Sequence, residues 1–281
     1  MRFRREELKH QMQGVRPAAV AGLFYPDSRV ELRRMIDRLL RSTFSDDAAP
    51  LPKAILTPHA GYVYSGPVAA SAMEAMRCGN GRVERVVLIG PSHRVRVRGL
   101  ALPAADCFET PLGKVEIDIE ASRSLLDLPQ VRIDAAPHAR EHGLEVEIPF
   151  LQQVFGHFRI VPLVAGDATV EEVSEVLERL WGGDETVFVI SSDLSHFLDY
   201  DAAREMDQDT VERILRFEES IDVHHACGAA VINGFLPVAK KHHLEPKILD
   251  LRNSGDTAGG RDRVVGYCAM AFCRTARCQA A

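Results

Sequence analysis

No apolar run in this 281-residue sequence approaches the roughly 20 residues that a membrane-spanning helix needs. The first residues, Met1 to Gln13, are too polar for the apolar segment of a secretory signal. A cytoplasmic location is therefore the expectation, with no membrane partner. Positive charge is not in excess either: the net charge is −6. That argues against a protein that tracks nucleic-acid phosphates, because such proteins present a basic face. Arg2, Arg4, Arg5 and Lys9 alternate with Glu6 and Glu7 and read as a solvated helix end. The six cysteines (Cys78, Cys107, Cys227, Cys268, Cys273 and Cys278) have no CxxC pairing, a pattern that predicts reduced thiols. Internal repeats and low-complexity linkers are missing as well. With 46% hydrophobic and 26% charged residues, what is left is ordinary globular composition, long enough for one large α/β domain.

Apolar runs alternate with amphipathic segments along most of the chain. Asp27 and Ser28 can cap a helix from Arg29 to Ser42, whose face is Leu32, Met35, Ile36, Leu39 and Leu40. Ser65 can cap a helix from Gly66 to about Met76, with Pro67 tolerated in its first turn. Further helices are expected over Val170–Trp181, Ala202–Phe217 and Gly228–His242. Strands are expected at Ile160–Val164, Lys247–Leu251 and Val264–Phe272, and Ser45–Pro52 reads as a loop. Gly99 to Asp118 reads as antiparallel strands joined through the turn Thr110-Pro111-Leu112-Gly113. The alternation predicts a mostly parallel central sheet flanked by helices, with an antiparallel excursion.

Histidines recur where apolar runs stop. Ala54-Ile55-Leu56-Thr57 leads into Pro58-His59, and Val86-Val87-Leu88-Ile89 leads into Gly90-Pro91-Ser92-His93. Runs of this kind are buried strands of a parallel sheet, and ligands of such sheets sit just beyond the strands' carboxyl ends. Two neutral imidazoles delivered there can share one metal ion. A third run, Val187-Phe188-Val189-Ile190, leads into Ser191-Ser192-Asp193-Leu194-Ser195-His196 and adds an acid and another imidazole. One such histidine is usually structural; three on the same transition predict a shared site.

Two other segments carry chemistry. Cys227 precedes an apolar helix, and a thiol at a helix N-terminus favours thiolate, which is a metal ligand or a nucleophile. The competing reading is a small residue packing the start of that helix. In Glu141-His142-Gly143-Leu144-Glu145, His142 and Glu145 would share a face if the segment were helical, holding a metal or relaying protons; a polar helix end before Pro149 is the alternative. His10, His138, His157 and the pair His242-His243 read as surface residues.

PHAGYVYSG, GPSH, FETPLG, EHGLEVEIPFLQ, ISSDLSH and ACG before a helix stand here in the order found in the Memo-like proteins, labelled AmmeMemoRadiSam system protein B in prokaryotes. With the lead-in VRPAAVAGLFYP, the resemblance runs over about residues 15–273, leaving 1–14 as an extension and 274–281 as a tail. That family is similar in fold to the class III extradiol dioxygenases. The resemblance implies His59, His93 and Cys227 as ligands of one metal ion, iron or copper with zinc as a further candidate. It implies His196 as an acid/base residue beside Asp193, and His142 and Glu145 in the pocket lining. AMMECR-like and radical-SAM proteins are implied as partners, with a small molecule or peptide as ligand. Here Ala229 and Ala230 follow ACG where the family often has Arg and Pro, removing a guanidinium from the pocket. Gly143 stands where Ser is common.

Three functions are compatible with these residues. One is a mononuclear redox-metal protein that oxidises a substrate; another is a non-catalytic module that binds a peptide or protein. The third is a metal-independent hydrolase using Cys227 as nucleophile and His196 as base. Fold alone does not decide among them.

Overall fold

The computed structural model describes residues 12–43 and 49–275. The charged segment Arg2 to Lys9, His10, Cys278 and residues 45–48 of the Ser45–Pro52 loop lie outside the described residues. In chain order the strands are β1 Val15–Arg16, β2 Ala54–Thr57, β3 Arg85–Pro91, β4 Leu100–Leu102, β5 Cys107–Thr110, β6 Gly113–Glu116, β7 Val131–Ile133, β8 Arg159–Ala165, β9 Thr186–Ser191, β10 His196–Leu198, β11 Leu244–Asn253 and β12 Val264–Arg274. The helices are α1 Arg29–Arg41, α2 Gly66–Ala75, α3 Ile119–Arg123, α4 Ala135–Ala139, α5 Glu147–Phe155, α6 Val170–Arg179, α7 Tyr200–Leu215 and α8 Ala229–Lys241.

One large sheet runs in the order β10-β12-β2-β9-β3-β8-β4-β7, with β11 also paired to β12. Its centre, β2-β9-β3-β8, is parallel. The strands β12, β10 and β11 add antiparallel pairs on one side, and β4 does so on the other. Alternation along each central strand feeds two helical layers. Ile55, Val86, Leu88 and Val189 pack with Leu32, Ile36, Met73 and Phe150 of α1, α2 and α5. Leu56, Val87, Ile89 and Ile190 pack with Val176, Val211, Ile232 and Phe235 of α6, α7 and α8. A sheet covered on both faces explains why these strands are continuous apolar runs.

The segment Gly99 to Asp118 departs from a simple antiparallel excursion. Leu100–Leu102 joins the large sheet, between β8 and β7. Only β5 and β6 form the expected hairpin, and β1 pairs parallel to β5 to complete a separate three-stranded sheet. Gly99 makes the division: its φ is +75°, and a Cβ there would sit 2.2 Å from the Gln130 carbonyl oxygen. Glycine alone permits that turn against β7's lead-in.

Among the described residues, no helix is long and apolar enough to cross a membrane. His59, His93 and His196 follow β2, β3 and β9 and therefore stand at the same edge of the sheet, as their strand contexts predict.

Candidate metal centre

The central strands stop together, and the turns beyond their ends build the site. The His59 imidazole is buried, and its backbone N–H donates to Asp193 Oδ1 at 2.8 Å. This bond ties the turn after β2 to the turn after β9. On the ring, Nδ1 lies 2.7 Å from Ser191 Oγ. His93 opens toward solvent and is held by one carboxylate at two points: Glu141 accepts from its backbone N–H and from its Nδ1, both at 2.7 Å. His142 arrives on the loop before α5, its ring 4.7 Å from that of Phe24.

These three imidazoles converge. Ring centroids are 5.0 Å apart for His59 and His93, 5.3 Å for His59 and His142, and 4.6 Å for His93 and His142. One nitrogen from each lies within 4.8 Å of the other two. A cluster of this size can hold a metal ion. The Cys227 thiol stands beside it, with Sγ 3.2 Å from His59 Nε2. Cys227 N–H donates to the Asp193 carbonyl, and Gly228 N–H donates to Ser192 Oγ at 2.9 Å, so the turn after β9 docks directly on the start of α8. Gly228 permits that approach, since a Cβ there would lie 2.7 Å from Ser192.

The electrostatics favour neutral imidazoles. Burial, reinforced by His93, lowers the pKa of His59 to about 3. Burial, with His59 and His93 nearby, lowers His142 to about 4. Burial works against ionised Glu141, but the hydrogen bonds from the His93 ring, Gly143 N–H and His93 N–H prevail and hold it at about 2. Glu141 is thus an anion that fixes His93 Nδ1 as the protonated nitrogen and leaves Nε2 free to ligate. Burial, helped by Asp193, pushes the metal-free Cys227 thiol up to about 12. The donor set fits a metal. It holds neutral imidazoles and a soft sulfur, and the buried His142 Nδ1 finds no hydrogen-bond partner among the described residues. Glu141 Oε1 approaches that nitrogen at 3.3 Å, outside hydrogen-bond geometry.

Two expected roles are placed differently. Asp193 does not orient His196: its Oδ1 takes the His59 N–H, and His196 Nδ1 donates to the Leu194 carbonyl at 2.8 Å. Burial pushes the Asp193 carboxyl up despite the pull of that N–H. Glu145 does not face the pocket with His142. Residues 141–146 form no helix, with 143–146 in turns, so the helical spacing does not apply. Glu145 is fully buried instead, pairing with Arg16 and the Tyr25 hydroxyl and accepting from Ala19 and Val20 N–H. His138 is likewise no surface residue: it is buried, with Nε2 donating to the Ala101 carbonyl at 2.9 Å.

Sequence reasoning assigned no role to Glu141, Ser191 or Glu147. The available signal was an acid inside an otherwise apolar strand end or helix, Glu147 before Ile148-Pro149-Phe150-Leu151 above all. A cavity of about 500 Å³ opens beside the cluster, lined by His93, His196, Phe197, Met206, Val223 and Cys227.

A family model described as "Memo-like protein" matches residues 16–271. A "MEMO1 family protein" of Ignicoccus hospitalis is 36% identical over 283 residues, covering 92% of this chain and 98% of that protein. Proteins of the same description from Aquifex aeolicus and Metallosphaera sedula are 34% and 32% identical, each covering 92% of this chain and 99% of its own length.

Proposed function

This chain belongs to the Memo-like protein family, and from that premise we propose that it is a mononuclear redox-metal protein whose ion is held by His59, His93 and Cys227, with His142 against the same ion. The observation that carries the reading is the convergence of three imidazoles at the strand ends, with a thiol 3.2 Å from one of them. A bound iron or copper ion would supply one-electron oxidation chemistry at that edge.

The protein's own groups have separable tasks. Glu141 and Ser191 aim the His93 and His59 rings. Asp193 holds the His59 backbone, and His196, its Nδ1 engaged by Leu194, presents Nε2 as a proton carrier facing the cavity. Phe197, Met206 and Val223 give that cavity apolar walls suited to the body of a small organic substrate. A Cys227–His196 hydrolase finds less support. The imidazole within contact of the thiol is His59, and burial keeps the metal-free thiol protonated.

A thiolate ligand makes the site softer than a carboxylate would, which favours copper(I) over iron(II). Titration of copper(I) and iron(II) into wild type and Cys227→Ser tests this. Copper affinity should fall by at least about tenfold and iron affinity by less, because a hydroxyl is a poor ligand for the soft ion. Equal copper affinities would return Cys227 to a packing role.

A second reading is favoured by the rim. Leu23, Val63, Tyr64, Phe197 and Val223 are exposed, and all lie on segments that carry or flank the site. An apolar rim of this kind suits a protein partner, including the AMMECR-like and radical-SAM proteins. Pull-down with Phe197→Ser and Val223→Ser would lose such a partner while metal content stays unchanged.

A further inference from the structure

Glu147 is 1% exposed and sits on the first turn of α5, beneath the His59 ring and out of reach of the cavity. Its neighbours are two hydroxyls. Oε2 lies 3.3 Å from Thr57 Oγ1, and Oε1 lies 3.3 Å from Ser191 Oγ. Ser191 Oγ also lies 2.5 Å from the Gly143 carbonyl oxygen and 2.7 Å from His59 Nδ1.

A serine hydroxyl has one hydrogen to donate and two lone pairs to accept with. The Gly143 carbonyl can only accept, so at 2.5 Å the serine hydrogen belongs to that contact. His59 Nδ1 must then donate to Ser191. The second lone pair of Ser191 faces Glu147 Oε1, and two bare oxygens there would repel. An ionised Glu147 would moreover be a buried anion with Thr57 as its one donor among the described residues, and a buried charge with so few donors is strongly disfavoured.

We infer that Glu147 is an un-ionised carboxylic acid acting as a positioning residue: its Oε1–H donates to Ser191, the Ser191 hydroxyl donates to the Gly143 carbonyl, and His59 is thereby locked as the Nδ1–H tautomer with Nε2 bare toward Cys227. Burial raises the Glu147 carboxyl well above its usual range, in agreement with the hydrogen count. Thr57 and Ser191 end β2 and β9, so the same acid bridges two neighbouring parallel strands beneath the site. Glu141 does the corresponding work for His93 as an anion. The two histidines are thus aimed by carboxyl groups in opposite charge states. What His59 Nε2 then holds depends on the proposed metal function; its tautomer does not.

The metal-free protein is the sample, so the test is independent of metal binding. The infrared difference spectrum between wild type and Glu147→Gln at pH 7 should contain the C=O stretch of an un-ionised carboxylic acid. Nitrogen-15 spectra of labelled histidine should show His59 protonated at Nδ1 in wild type and in Glu147→Gln, whose amide offers one donor and one acceptor in the same places. In Glu147→Met that tautomer should be lost or mixed. With zinc as the probe, affinity should be retained in Glu147→Gln and fall roughly ten- to hundredfold in Glu147→Met. A carboxylate signature, an Nε2–H tautomer in wild type, or an unchanged tautomer in Glu147→Met overturns the inference. Should Glu147→Met fail to fold, the wild-type and Glu147→Gln spectra decide. Wild type that shows the acid and the tautomer but takes up no zinc overturns the metal reading alone.

Discussion

His196 shows how a single contact changes the role a residue can play. Its Nδ1 is spent on the Leu194 carbonyl, so in the neutral ring Nε2 carries the lone pair and faces the cavity. That is the arrangement of a proton carrier, since a base must reach the substrate with a free lone pair. His196→Ala should leave metal stoichiometry nearly unchanged. It should lower oxygen uptake by the iron-loaded protein, with ascorbate as reductant, by about a hundredfold or more. Parallel metal analysis and oxygen-electrode rates check both halves. Loss of metal together with activity would make His196 a ligand.

Helix α6 carries the clearest signals at the scale of an element. Thr169 Oγ1 accepts from Glu172 N–H, and the Glu172 side chain returns a bond to Thr169 N–H, a capping box written in the sequence as T-x-x-E. Glu172 also takes two bonds from Arg98 at 2.7 and 2.8 Å, fastening the helix start to the turn before β4. Thr169→Ala removes one half of the box and should cost about 1 kcal/mol. For a chain of this length that lowers Tm by about 2–4 °C. Calorimetry reads it directly, and metal content should not change, because α6 supplies none of the side chains that converge on the cluster. A loss of metal would show that the sheet edge depends on this helix.

The whole molecule registers pH through Asp207, which α7 buries against Gly266 of β12. Burial raises its pKa to about 6, although Ser195 N–H donates to it at 3.0 Å. The unfolded chain titrates near the ordinary value of about 3.9. Between those two values the native state binds more protons than the unfolded state, so stability falls as pH rises through that window. The group's contribution is retained below pH about 4 and lost above about 6, a change of about 3 kcal/mol at most. Asp207→Asn removes the titration, so the Tm of the variant relative to wild type should rise by about 5 °C between pH 4.5 and 7.5. A pH-independent difference would mean that Asp207 keeps its ordinary pKa in the fold.

The parallel core was legible because each central strand is apolar on both faces, and an apolar run ending at Pro or Gly has few other interpretations. The same feature located His59, His93 and His196, since strand direction alone decides which edge a residue following a strand occupies. The helix over Arg29–Arg41 and the capped start of α6 were local as well, each set by a side chain within three residues of the bond it makes. The EHG loop was a different matter. Whether His142 and Glu145 share a face depends on a helix that does not form there, and Glu145 pairs instead with Arg16, 129 residues away in sequence. Ser191, Gly143 and Glu147 meet under His59 only because β2, β9 and α5 pack together. Sequence periodicity reports which face of an element is apolar. The hydrogen count at a buried hydroxyl depends on distant groups, and it is that count, not periodicity, that decides which imidazole nitrogen is free.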